Sequence, residues 1–293
     1  MHILPALLVA LPTAAAFGGW ALLPGLVVAG LLAAMFGGSE PRRAVPHPLL
    51  RAVVLTLLAA VAARAFGMVV LPDHDWLAGL VVAALVSMAA IAGLDIPTMS
   101  RRAVSVVLLL AAAGFAAVCA GVEPPPAVVP RPADEAPIMG WIVAAGLFAA
   151  PMLMLEPGRR LVRVGSAVLV AGAVAAGALY QLGPQRLGLS DAPLHDTLIA
   201  AGADTLTTML AAVVVLGTLP AALIAQSAAT RAAASLPRAR ALTAAFCLLA
   251  LLAASTVEPI IVLAAASTVA VTSTVLGWAQ SRRVDTGQSR GQY

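Results

Sequence analysis

The chain has 293 residues, of which 61% are hydrophobic and 10% charged, with a formal net charge of +4 and a mean hydropathy of +1.00. That balance excludes a soluble globular domain. At about 20 apolar residues per membrane crossing, it also leaves no length for a separate catalytic domain.

Ten apolar runs are expected to cross a bilayer: Ile3–Phe17, Trp20–Phe36, Pro48–Leu71, Trp76–Leu94, Val104–Gly121, Ile138–Leu155, Leu161–Leu182, Thr205–Ser227, Ala241–Ser255 and Pro259–Ala279. The first run has no basic start and no small-residue cleavage site followed by a polar chain, so it is expected to stay as a span. Trp20, Trp76, Trp141 and Trp278 fall near run ends, where an amphipathic ring prefers the interface. The stretch 122–137 is proline-rich and reads as an extended outer linker. Half of Leu189–Ala203 is polar, which suits a short helix on the outer surface. The polar residues 281–293 read as a disordered tail.

All 17 basic residues are arginine, and their placement sets the topology. Arg42, Arg43 and Arg51 share one gap between runs. Arg101 and Arg102 share the next but one. Arg159, Arg160 and Arg163 follow, then Arg231, Arg238 and Arg240, then Arg282, Arg283 and Arg290. The intervening gaps hold only Arg131 and Arg186, and they carry Asp73, Asp75, Glu123, Asp134, Glu135, Asp191 and Asp196. Arginine stays on the cytoplasmic side of a membrane, so the alternation predicts an inner-membrane protein with both termini inside. It also explains the basic excess without a nucleic-acid partner.

Ten spans divide into two fives, residues 1–121 and 138–280, which enter the membrane from opposite sides. That is the inverted-repeat pattern of many secondary transporters, whose sites lie where a Gly/Pro-interrupted span recurs in each half. The first span carries Pro5 and Pro12 and ends at Gly18–Gly19. The sixth carries Pro151, with Gly140 and Gly146 before it. Proline removes a helix hydrogen bond and frees a carbonyl. A polar solute can satisfy that carbonyl, or the helix can simply kink.

Arg64 is the one arginine deep within a run, since Arg51 and Arg163 sit in the first residues of theirs. At least about 2.5 kcal/mol opposes its burial in hydrocarbon, so it must face the protein interior or snorkel. It reads either as a pathway residue for a carboxylate or as a structural arginine. Thr205, Thr207 and Thr208 follow Asp204, which suits a helix start capped by Asp204. Ser227 and Thr230 suit a cavity lining or bonds to carbonyls one turn back. Asp95 beside Pro97 reads as a turn residue, and Glu156 as one partner of a surface ion pair. Gly25 with Gly30, Ala63 with Gly67, and Gly172 with Ala176 suit close helix packing. Cys119 and Cys247 lie within apolar runs and read as packing residues. His2, His47, His74 and His195 lack metal-ligand spacing, and no phosphate loop or nucleophile set is present. Neither enzymatic activity, a cofactor nor a metal is expected.

Four stretches together resemble the amino acid–polyamine–organocation superfamily of permeases, nearest the cationic amino acid transporter branch. They are Ala62-Ala63-Arg64-Ala65-Phe66 in the third span, Gly140 to Arg160, Gly188 to Leu194, and Gln226-Ser227 through Arg231. The resemblance implies an all-α integral membrane fold with a leucine-transporter-type five-plus-five inverted repeat. It further implies alternating-access transport of an amino acid or related amine, with spans one and six unwound around the substrate. The implied binding residues are Pro12, Ala149, Ala150, Pro151 and Met152, with Arg64 and Ser227 nearby. The family's glycines in the first span are replaced by the Ala6–Ala10 run, and its fifth-span lysine has no counterpart. Its eleventh and twelfth spans have no counterpart either, and the chain begins near the expected break. Those departures keep a second expectation open, a non-transporting membrane subunit or scaffold that retains the fold. Its partners would be the bilayer and a membrane subunit or a second copy of the chain.

Overall fold

The computed structural model describes residues 3–36, 48–124, 137–155, 160–234, 236 and 239–288. Every regular element among them is helical: α1 (Ile3–Gly18), α2 (Leu22–Phe36), α3 (Pro48–Val70), α4 (Asp75–Ile91), α5 (Thr98–Gly121), α6 (Pro137–Leu153), α7 (Arg160–Gly188), α8 (Pro193–Ala200), α9 (Thr207–Ala234), α10 (Ala239–Thr256) and α11 (Pro259–Gln288). Each of the ten apolar runs therefore forms a helix, and the half-polar stretch after α7 forms α8.

Seven stretches are long and apolar enough to cross a membrane: Leu4–Phe36, Pro48–Val70, Pro72–Ile91, Thr98–Gly121, Leu161–Gly188, Asp204–Ala234 and Pro259–Trp278. The first of these joins α1 and α2 through a 3₁₀ turn at Gly19–Ala21. Helices α1, α2, α6 and α10 have 16, 15, 17 and 18 residues. At 1.5 Å per residue each reaches roughly 22–27 Å, short of a hydrocarbon core of about 30 Å. Leu110 and Leu169 expose 68% and 71% of their surface, as lipid-facing side chains do in a multi-pass membrane protein.

Helix α3 lies at the centre. It is buried almost continuously from Ala52 to Gly67 and packs on α9, α11, α4, α10 and α1. Its broadest seam is with α9. Small residues make that closeness feasible, since α3 offers Ala59, Ala60, Ala62 and Ala63 and α9 offers Ala221, Ala222, Ala225 and Ala229, all buried. Helices α1 and α2 barely touch each other and both pack on α6 and α7. Helix α5 lies at the edge, with only Phe115 and Cys119 buried, against α7 and α9.

Two local expectations are corrected. Residues 281–288, expected within a disordered tail, continue α11. Asp204 does not cap α9 through its carboxylate. It sits in a 3₁₀ turn, and the Thr207 hydroxyl donates to its main-chain carbonyl at 2.7 Å. His2, Arg42, Arg43, His47, Arg131, Asp134, Glu135 and Glu156 lie outside the described residues, as does nearly all of the proline-rich linker.

Candidate functional site

Arg64 leaves α3 near its C-terminal end and meets the first residue of α4. Its Nη2 lies 2.9 Å from Asp75 Oδ2, with 11% and 25% of the two side chains exposed. Two glycines make the approach possible. A β-carbon on Gly67 would collide with the Asp75 main-chain carbonyl. One on Gly79 would lie 2.9 Å from Arg64 Cδ and 3.2 Å from the Ala254 carbonyl of α10. The Arg64 Nε is fully buried and finds no acceptor. Desolvating the guanidinium is costly, and the neighbouring carboxylate returns most of that cost only because the pair is close. The carboxylate that Arg64 holds is thus the protein's own.

The prolines of α1 and α6 do not unwind their helices. Helix α1 runs through Pro12 to Gly18, and α6 runs through Pro151 to Leu153. Pro151 cannot donate to the carbonyl of Leu147, the residue four before it. The hydroxyl of Ser267, from α11, donates to that carbonyl at 3.2 Å and accepts from Ala150 N at 3.2 Å. Ser267 is 4% exposed. A neighbouring helix therefore satisfies the group for which a bound solute was the other candidate. Ala149, Ala150 and Met152 are buried at 2%, 0% and 0% exposure. Ala149 also lines an apolar groove between α2, α6 and α11, whose walls offer nothing to an ammonium or a carboxylate. Beyond Pro12, α1 meets α6 through bare backbone, since a β-carbon on Gly18 would stand 2.7 Å from Gly140 Cα.

Ser227 lies at the other end of the protein from Arg64. Its hydroxyl donates to the Leu94 carbonyl just past α4 at 3.3 Å, and Thr230 donates to the Ser227 carbonyl at 3.0 Å. Beside it, Asp95 gathers three helices. Its Oδ1 accepts from Arg101 Nη2 of α5 at 2.5 Å, and its Oδ2 from Arg231 Nη1 of α9 at 2.6 Å. Arg101 Nε also donates to the Ile96 carbonyl at 2.9 Å, which orients the guanidinium. Partial burial pushes the Asp95 carboxyl upward. The bond and charge of Arg231, the charge of Arg101 and the Ile96 amide outweigh it, so the net direction is downward from 3.8.

The expected site residues therefore separate into three places. Pro12 lies on α1 and the Ala149–Met152 segment on α6, two helices that pack on each other. Arg64 sits at one end of α4 and Ser227 beyond the other, about 25 Å apart along that helix. The polar contacts that hold the helices together include three that the sequence reading did not single out: Asp75, Ser267 and Gln181. Gln181 of α7 donates to the carbonyls of Cys119 and Val122 at 2.7 and 2.9 Å, closing the end of α5. A buried glutamine after an alanine-rich run is a readable signal for such a bond. Gln226 of α9 is fully buried, its amide nitrogen 3.6 Å from Cys247 Sγ and its Oε1 without a partner. Among the described residues no group of His, Cys, Asp and Glu is placed to hold a metal. No protein-family model and no curated protein matches the chain.

Proposed function

We propose that the chain is a ten-span membrane permease of the five-plus-five inverted-repeat type, carrying an amino acid or related amine by alternating access. The observation that carries this reading is the order of helix packing. Set α1 to α5 against α6, α7, α9, α10 and α11. Each of the first four helices then packs on its own counterpart: α1 on α6, α2 on α7, α3 on α9 and α4 on α10. Four crossed contacts recur as well, whereas α6–α11, α5–α7 and α1–α3 pack without a comparable counterpart. The α2–α6 pairing is matched by α1–α7, α3–α4 by α9–α10, α3–α10 by α9–α4, and α3–α11 by α9–α5. A two-fold axis in the membrane plane, relating two halves of opposite insertion, accounts for that reciprocity. The arginine alternation supports the same topology with both termini cytoplasmic.

The seam for such a motion is where α1 meets α6: Gly18 and Gly140 bring backbone against backbone, with the Ala21 methyl beside them. The architecture carries the transporter reading; the substrate class rests on the resemblance of the third, sixth and eighth spans to amino acid permeases.

The second reading is a non-transporting subunit or scaffold with the same fold. The continuity of α1 and α6 favours it, as does the apolar groove at Ala149. Purified protein in liposomes separates the two. A permease takes up or exchanges at least one labelled amino acid or amine from a broad panel, and Gly18→Val, which jams the α1–α6 seam, reduces that flux at least tenfold. Flat uptake across the panel by folded protein leaves the scaffold.

A further inference from the structure

Nine serines and threonines are buried among the described residues, and in seven of them the hydroxyl has a hydrogen-bond partner. Most of the seven donate to a carbonyl of their own helix, as a helical hydroxyl ordinarily does. The two exceptions are Thr56 of α3 and Ser87 of α4, which are 0% and 4% exposed. A third orphan accompanies them. It is the Oε1 of Gln226 in α9, on a fully buried side chain whose nitrogen lies 3.6 Å from the Cys247 thiol of α10, a weak acceptor.

The packing brings these three groups to one layer. Helices α3, α4, α9 and α10 all pack on one another. Gly79 of α4 lies against Arg64 of α3 and the Ala254 carbonyl of α10. Eight residues along each helix toward the Asp95 end, about 12 Å, lead from there to Ser87, Thr56 and Phe246. Phe246 shares a buried cluster with Leu55 and Ala229. Leu55 precedes Thr56, Ala229 stands three residues past Gln226, and Cys247 follows Phe246.

The chemistry of the layer selects its ligand. Residues 52–60, 83–91, 222–230 and 243–250 include no acidic or basic residue, so an anion would have no countercharge there. Thr56 and Ser87 each bring an O–H donor, and the Gln226 oxygen only accepts. A cation takes no proton and would leave both donors unanswered. Water accepts from the two hydroxyls and donates to the amide oxygen, which makes the three bonds typical of a buried water. We propose that Thr56, Ser87 and Gln226 bind buried water at the core of the α3–α4–α9–α10 bundle. Neither reading of the protein's function is needed for the site.

The test is equilibrium unfolding of the full chain in mixed micelles. Thr56→Val keeps the shape of the side chain and removes one hydroxyl; Ser87→Ala removes the other. Each should shift the equilibrium toward the unfolded state by roughly threefold or more, because the remaining groups lose their bridge. The double variant should lose far less than the sum of the two, since either change alone already breaks the bridge. A neutral or stabilising Thr56→Val, or losses that simply add, overturns the proposal, because each hydroxyl then stands alone. X-ray radiolytic labelling of wild type gives a reading that needs no variant. Radicals formed at the bound water should oxidise Phe246 and Cys247, which are only 5% and 7% exposed. Protection of both overturns the site. Unfolding in sodium chloride and in choline chloride should agree; stabilisation specific to sodium makes the ligand a cation and overturns water.

Discussion

At its first residue α4 is tied to α3 through Asp75 and Arg64; just past its last turn, Asp95 ties the chain to α5 and α9 through Arg101 and Arg231. Both ties pair a carboxylate with a guanidinium at hydrogen-bond distance. They differ in their surroundings. The Arg64 side chain is 11% exposed, beneath a helix start that Gly67 allows to settle on it, whereas Asp95 and Arg231 are 36% and 58% exposed. A buried pair adds little net stability while intact, because desolvation offsets the attraction. It is costly to halve, because one charge is then stranded. An exposed pair is cheap both to make and to lose. The first fixes how α3 and α4 meet; the second, nearer solvent, is lost at less cost.

The largest effect should follow Asp75→Asn. It leaves Arg64 charged and buried, with a loss of about 2–3 kcal/mol, somewhat below that of a fully buried pair because Asp75 keeps a quarter of its exposure. Steric-trap or urea unfolding in mixed micelles measures it, and a loss under about 0.5 kcal/mol would make the two ties equivalent. Gly67→Ala should come next, at roughly 1–2 kcal/mol, since the new methyl meets backbone that can yield only if α4 shifts. Asp95→Asn should cost about 0.2–1 kcal/mol, and less again at high salt, where exposed charges are screened. The smallest and most diagnostic change is with pH. Asp95 is held below 3.8 in the folded protein, so its contribution is complete above that value and fades as pH falls through its depressed folded value. Proteolysis of the α4–α5 turn should therefore accelerate only at the acid extreme in wild type, and be independent of pH there in Asp95→Asn.

The helices were legible because each is built on an apolar run set off by polar residues, proline or glycine; their ends were less so, since α5, α7, α9 and α11 all extend beyond the runs. So were the contacts. Arg64 stands out within its run, and Asp75 reads as an outer charge; joining them takes the step that α3 and α4 form a hairpin through the Pro72–His74 turn. At Pro151 the sequence shows a carbonyl without its amide but not which group answers it, because Ser267 is over a hundred residues away and looks like any serine in an apolar helix. The site residues implied by the resemblance lie in three separate places, and their types do not foretell that. Alanine and proline identities at positions 149–152 say nothing about whether α6 is broken there, and tertiary packing, not local propensity, decides that.

Ser267 lends α6 a rung of its ladder from outside. What is lent can be withdrawn. A slide of α11 along its axis by one turn, about 5.4 Å, would carry the hydroxyl out of reach of both Leu147 and Ala150. The last turn of α6 would then be free to swing about Pro151. The bend is stored in the covalent chemistry of α6, and the catch that restrains it belongs to a different helix.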